Sequence, residues 1–384
     1  MRALRLGFVW IAALTLLGAS IATGEGILID HQDTDLTALL PEAIGQAKAE
    51  LHIGYGHTSH GSQVTDGMTG LVGFINGGGF GLSYPTDTFA WNRGGTGGAL
   101  DLHDYFKSGD LGNPDRTTWA GRTRDYLDDP AHDDVNVILW SWCGQADTSA
   151  ANIDLYLNTM NQLEIDYPRV SFVYMTGHVN GCSTTGNLFY RNQQIRDYCL
   201  ANEKILYDFA DIESYDPNGA YYGDKRVTDD CWYDSDSNGS RDRNWASDYQ
   251  DSHVEDVDWY DCDSAHSEPL NANQKAYAAW ALWTQIAQMR RPSTLGDTDC
   301  DGDVDCEDYL TVKANLGTGQ GAHWAHGDFD RDRDVDRDDL LALVAHYAGA
   351  GGEGATGPAS TPEPATLALL AAGALVGIRR KRTS

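Results

Sequence analysis

Asp297, Asp299, Asp301, Asp303 and Asp308 stand at positions 1, 3, 5, 7 and 12 of one acidic stretch. Asp328, Asp330, Asp332, Asp334 and Asp339 repeat that spacing 31 residues later. Side-chain oxygens at 1, 3, 5 and 12, with a backbone carbonyl at 7, wrap a hard divalent cation. Calcium suits them because it takes six to eight oxygens in flexible geometry. An acidic linker has no reason to repeat its spacing, so the pair predicts two calcium sites within 296–348. Val304 and Val335, at position 8 of each loop, predict a short β-contact between the loops. Each loop runs into an apolar helical stretch, Tyr309–Leu316 and Leu340–Tyr347. Arg333 replaces the turn glycine in the second loop, which is therefore expected to hold its ion less tightly. A further candidate, residues 234–242, places Asp234, Asp236, Asn238 and Asp242 at positions 1, 3, 5 and 9, with Gly239 at the turn. Trp245 falls at its position 12, so a third calcium site and a flexible polar loop are both open readings there.

A second set of residues could do nucleophilic chemistry. Ser59 lies in Gly56-His57-Thr58-Ser59-His60-Gly61-Ser62-Gln63, and Asp263-Ser264-Ala265-His266 lies far downstream. A serine at a strand-to-helix turn exposes its hydroxyl but is a weak nucleophile until a base takes its proton. His266 is the expected base, and Asp263 is expected to orient its ring. Ser62 is the alternative nucleophile. An oxyanion would need donors aimed at it. The expected ones are the serine N–H, an N–H of the Gly94–Gly98 segment at Gly97, and the Gln145 amide, with Asn180 as competitor. His57 and His60 could ligate zinc, but no compact third and fourth ligands accompany them in the sequence. They read as hydrogen-bonded within the turn. Cys143 could be a thiol nucleophile, but its apolar setting between Trp140 and Trp142 favours a buried structural cysteine.

The elements that must position these groups are legible as runs. Leu51–Tyr55, Val135–Trp140, Val170–Met175 and Lys204–Phe209 are short and nearly continuous in apolarity, as strands covered on both faces are. Ala151–Tyr167 and Leu188–Ala201 carry helical spacing, and Asn271–Met289 reads as an amphipathic helix. Strand–helix alternation predicts an α/β fold with a doubly wound parallel sheet over residues 25–292. Active sites of such sheets lie beyond the carboxyl ends of the strands, where the serine, glutamine and histidine segments fall.

The ends of the chain read as addresses. Residues 1–24 have a basic start, an apolar core and small residues near Ala22, the pattern of a secretory signal peptide. A Gly-rich linker, 349–361, precedes Pro362-Glu363-Pro364, an apolar segment and Arg379-Arg380-Lys381-Arg382. The formal charge is −30. It is concentrated in 224–263, with 13 acids against 4 bases, and in 296–348, with 14 against 4. That balance excludes nucleic acid and anionic membrane surfaces as partners. Seven cysteines fit an oxidising compartment. Cys231 with Cys262, and Cys300 with Cys306, are placed to form staples.

Three resemblances follow from these blocks. The order hydroxyl, glycine, amide and Asp-x-x-His at strand ends resembles the SGNH (GDSL-like) hydrolases over about residues 27–290. It implies a flavodoxin-like sheet and a secreted esterase using Ser59, Asp263 and His266. The two acidic loops resemble a type I dockerin, which implies a small all-α, paired EF-hand-like domain at 296–348 and a cohesin-like partner. Residues 362–384 resemble a PEP-CTERM sorting signal. It implies export, an exosortase-type sorting enzyme, and a mature protein at the surface of, or secreted from, a Gram-negative bacterium. Together they suggest a polysaccharide, or its acyl esters, as substrate. The competing class is a non-enzymatic surface protein that binds glycan or acts as a scaffold, to which 11 Trp and 19 Tyr would also be suited.

Overall fold

The computed structural model describes residues 26–289, 295–298, 304–319, 322, 326–329 and 334–347. The leader, the sorting tail, Asp299, Asp301, Asp303, Asp330, Asp332 and Cys300 lie outside the described residues.

β1 (Leu28–Ile29) is followed by α1 (Pro41–Glu50), which has Pro41 in its first turn, where the missing N–H has no helical partner to lose. β2 (His52–Gly56) leads straight into α2 (Ser59–Asn76), and β3 (Trp91–Asn92) and β4 (Leu100–Asp104) come next. α3 (Thr118–Leu127), β5 (Val137–Trp140), α4 (Ala150–Asp166), β6 (Ser171–Met175), α5 (Asn187–Ala201) and β7 (Ile205–Tyr207) then alternate. All seven strands form one parallel sheet in the order β1-β7-β6-β5-β2-β4-β3. From β2 the chain moves outward to β4, and from β5 outward the other way to β6 and β7. The order reverses between β2 and β5, and such a reversal leaves a crevice at the carboxyl ends.

Period-two alternation explains why helices cover both faces. Ile53, Tyr55, Leu100, Leu102, Val137, Leu139, Val173 and Met175 join one cluster with α1, α2 and the last long helix, α8 (Pro269–Met289). Ile138, Trp140, Phe172, Tyr174 and Leu206 point the other way, into α3, α4 and α5. Three of these elements, β4, α2 and α8, differ from the sequence reading. β4 does not read as apolar because Asp101 and His103 interrupt it, yet both are buried and their side chains meet at 3.1 Å. α2 carries glycines at 61, 67, 70 and 73, which hide a helix from propensity alone. α8, expected to be amphipathic, has 17 of its 21 residues buried, so it is a core helix with no solvent stripe.

Between β7 and α8 lie α6 (Phe209–Ile212), the small hairpin β8 (Trp232–Tyr233) and β9 (Arg243–Asn244), and α7 (Trp245–Ser252). Val227, Cys231, Trp245, Ala246, Trp259 and Leu270 give this insertion its own core. The expected Cys231–Cys262 staple is absent: both are free thiols, Cys231 facing Ser267 and Cys262 facing Pro269 and Asn273.

In the acidic C-terminal region, α9 (Cys306–Asn315) and α10 (Arg337–His346) share an apolar cluster with Val304, Phe329 and Val335. The 31-residue repeat is also a structural one. Asp308 accepts from Thr298 N–H and Asp305 N–H, and Asp339 accepts from the matching Phe329 and Asp336 N–H groups. The expected Val304–Val335 β-contact is replaced: Val335 exchanges backbone hydrogen bonds with Gly317 and Thr318. Cys306 is a free thiol.

Candidate active site

The crevice between β2 and β5 is built by the first turn of α2, the loop after β5, the loop after β6 and the turn before α8. α2 starts immediately beyond β2, so Ser59, His60 and Gly61 occupy its first turn, where backbone N–H groups have no carbonyl behind them in the helix. Gly61 is required by close approach: a Cβ there would lie 2.2 Å from Ser141 Oγ and 2.4 Å from His57 Cβ.

Ser59 Oγ lies 2.9 Å from His266 Nε2, although the two are 207 residues apart. Ser62, the alternative nucleophile, donates instead to Asp66 Oδ2 and to the Ser59 carbonyl. His266 sits at a left-handed φ of 63° in a tight turn closed by Ser267 N–H to the Ser264 carbonyl. That turn is where the expected Asp263 contact fails. The i, i+3 spacing would bring the two side chains together on a helical turn, but the chain reverses at His266. No hydrogen bond joins Asp263 to His266, and the Asp263 charge acts on Asp66 and Cys262.

The turn is tied to the core from below. Gln63 Nε2 donates to the Ala265 carbonyl, and Lys275 Nζ donates to Gln63 Oε1. Lys275 also pairs with Glu213 at 2.8 Å, both fully buried, and Glu213 accepts from Val179 N–H beside His178. One buried ion pair thus fixes the backbone on both sides of the crevice. Burial holds the Lys275 ammonium below its usual range, against the pull of Glu213.

Cys143, expected to be a buried structural residue, is the main surprise. Trp140 and Trp142 are buried, but Cys143 is only partly so, and its Sγ faces the crevice. His60 Nδ1 lies 2.9 Å from Cys143 Sγ, and His60 Nε2 lies 2.9 Å from Asp229 Oδ2. Ser59 Oγ is 3.7 Å from the same sulfur. The hydrogen bond from His60 lowers the thiol to about 7, overcoming burial. Burial opposes the His60 charge, but the hydrogen bonds to Asp229 and Cys143 raise it to about 9. His178 and His266 stack on the two sides of the His60 ring, at 4.0 and 4.5 Å. Burial holds His178 below its usual range.

The expected oxyanion groups fare differently. Gly97 precedes β4; Gly94 N–H bonds to Asp101, which pairs with His52, the first residue of β2. Ser59 follows the last, so Gly97 lies toward the opposite edge of the sheet. The loop at the carboxyl end of β4 is Tyr105–Gly112, which supplies Asp110. Gln145 is in place, but its Oε1 accepts from Cys143 N–H at 3.1 Å and its Nε2 donates to Asp110 Oδ2 at 3.4 Å. Thr58 Oγ1 donates to the same carboxylate oxygen at 2.7 Å, so Gln145 orients the Cys143 loop against the α2 N-terminus. Asn180 bonds outward to Asp147. His57 is hydrogen-bonded within the turn and also to Asp104, whereas His60, given the same reading, bonds out of the turn to Cys143 and Asp229.

Among the described residues, four groups of histidine and carboxylate side chains bring three ligand atoms together, and two of them bear on the sites expected from the sequence. His60, His178 and Asp229 bring three ligand atoms within 4.8 Å of one another. The two rings are parallel to within 4°. Imidazole lone pairs lie in the ring plane, and no point lies in both planes, so this stack does not fit a shared ion. In the C-terminal region, Asp297, Asp308, Asp328 and Asp339 are all at most 3% exposed. Asp334, Asp336 and Asp339 have oxygens within 4.8 Å of one another. An all-oxygen, carboxylate-rich donor set of this kind fits calcium. The 234–242 loop closes on itself: Asp234 accepts from Asn238 and Gly239 N–H groups and Asp242 from Ser235. Its acids do not gather three ligand atoms within 4.8 Å.

Residues 360–382 match the family model for the PEP-CTERM protein-sorting motif. No curated protein and no solved structure matches the chain. The motif marks a protein exported by a Gram-negative bacterium and sorted to the cell surface through its C-terminus by an exosortase-type enzyme. Among the described residues, no helix is long and apolar enough to cross a membrane.

Proposed function

We propose that this exported protein is an acyl-ester hydrolase of the SGNH type, with Ser59 as nucleophile and His266 as base. The observation that carries the reading is the 2.9 Å contact between Ser59 Oγ and His266 Nε2 at the reversal of the sheet order. Without β1 and β3, the order β4-β2-β5-β6-β7 is the flavodoxin-like one, for which a site at this switch point is the rule. His266 takes the serine proton as Oγ attacks the acyl carbon, then returns it to the leaving alcohol. Water repeats the sequence on the acyl-enzyme. First-turn N–H groups of α2 are the donors nearest the developing oxyanion. Esters on exported polysaccharide are the substrate class that the sorting tail and acidic charge favour, an argument from context.

We further read 296–348 as a dockerin-like module holding two calcium ions. Asp297, Asp308, Asp328, Asp334 and Asp339, with the acids outside the described residues, would ligate them. Bound calcium would neutralise carboxylates packed around a small core and present the module to a cohesin-like partner.

The test is hydrolysis of a small acetyl ester by purified protein. Ser59→Ala and His266→Ala should each lower turnover by about 10³-fold or more, with the double variant scarcely worse than either. If neither change matters and no ester is cleaved, the α/β domain is a glycan-binding or scaffold module.

A further inference from the structure

We propose that Cys143, with His60 and Asp229, is a second nucleophilic centre in this crevice, able to take an acyl group from an activated ester or thioester onto its sulfur. The three residues come from the loop after β5, the first turn of α2 and the insertion before α8, and they meet in a line of two 2.9 Å contacts. His60 uses both ring nitrogens, one toward sulfur and one toward carboxylate. A neutral ring would donate to Asp229 and accept from the thiol, whereas a doubly protonated ring donates both ways. The carboxylate at 2.9 Å raises His60 and the His60 contact lowers the thiol, which favours a thiolate–imidazolium pair backed by a carboxylate.

The surroundings support charge separation there. Facing His60 are Asp229, Cys143, the stacked rings of His178 and His266, and the charge of Glu213, which Lys275 neutralises from α8. Facing Cys143 are His60, the Ser59 hydroxyl and Gly144 N–H. Other cysteines behave oppositely: burial pushes the Cys199 and Cys231 thiols up, and that of Cys262 up to about 12.

The step balances without a further reactant. The thiolate attacks the acyl carbon, an S–C bond forms, the C–O or C–S bond to the leaving group breaks, and that group takes the His60 proton. Water then cleaves the thioester, giving its proton to neutral His60 and restoring the pair. This centre is independent of the Ser59 reading, and its test uses a different readout.

Iodoacetamide alkylation of the purified protein, with peptide mass spectrometry, reads the thiolate directly. Because only the thiolate attacks, the Cys143 rate should climb as pH rises through about 7 and then level. His60→Gln should move that midpoint up by at least one pH unit. Asp229→Asn should move it less and serves as the second variant, both being confirmed as folded by circular dichroism. In Ser59→Ala protein, p-nitrophenyl acetate should leave an acetyl group on Cys143, absent after Cys143→Ala. A midpoint near the ordinary thiol value of about 8.5, insensitive to both variants, would overturn the proposal, as would an unacetylated Cys143. Loss of turnover in Ser59→Ala with a fully reactive Cys143 leaves both centres standing. Full turnover in Ser59→Ala that vanishes in Cys143→Ala removes the serine reading alone.

Discussion

His60 and Cys143 show how far a side chain's chemistry depends on what it faces. Buried imidazole normally loses its proton; here a carboxylate at 2.9 Å outweighs burial and a thiol is acidified in turn. Asp263 shows the converse. Its spacing to His266 fits a catalytic pair, but the left-handed turn at His266 separates them. Asp263→Asn should therefore lower ester turnover by less than about tenfold, whereas losing the carboxylate of a working triad costs about 10⁴. Steady-state kinetics decide the point; a fall near 10⁴ would mean that the turn rearranges when substrate binds.

At the scale of elements, the crevice depends on how closely α2 lies against α8. Gly67 is the contact: a Cβ there would stand 2.1 Å from the Ala272 carbonyl oxygen. Alanine would gain about 1 kcal/mol of helix propensity, but a clash with backbone cannot be relieved by a rotamer change. Overpacking of this kind costs about 1–3 kcal/mol. Gly67→Ala should therefore lower the thermal midpoint by a few degrees for a domain of this size. An unchanged or raised midpoint in calorimetry would show that propensity wins and that the helices are less tightly seated. Trp280 and Trp283, fully buried on α8, supply the apolar surface that holds this helix in place.

Across the whole molecule, the −30 charge has its densest blocks in 224–263 and 296–348. Among the described residues of 296–348, a small apolar cluster is accompanied by the buried carboxylates of Asp297, Asp308, Asp328 and Asp339. Such a unit gains stability from any cation that binds only the folded form. Chelation with excess EDTA should melt α9 and α10, and added calcium should restore them, as followed by circular dichroism of the purified protein. An identical unfolding profile with and without calcium would remove the calcium reading. Ester turnover should survive chelation, since Ser59, His266, Cys143 and His60 lie on another core.

The sequence alone determined the alternation of strands and helices, the repeat of the acidic loops and the C-terminal sorting motif. Each is a local or periodic signal: apolar runs at Leu51–Tyr55 or Val135–Trp140, a repeat at fixed spacing, a Pro-Glu-Pro before an apolar and basic end. It also singled out Ser59 and His266, because residues at strand ends and before the last helix are fixed by connectivity. What it missed was decided by folding. β4 was hidden because burial of Asp101 depends on His103 pairing with it, and α2 because its glycines are selected by contact with Ser141 and Ala272. Asp229 is one acid among 13 in its block, and no local spacing separates it from the others. Cys143 looked structural beside two buried tryptophans until the loop after β5 turned its sulfur toward His60. Pairing between residues 83 and 169 positions apart is set by the sheet order and by the insertion's own core, and only the tertiary structure carries that information.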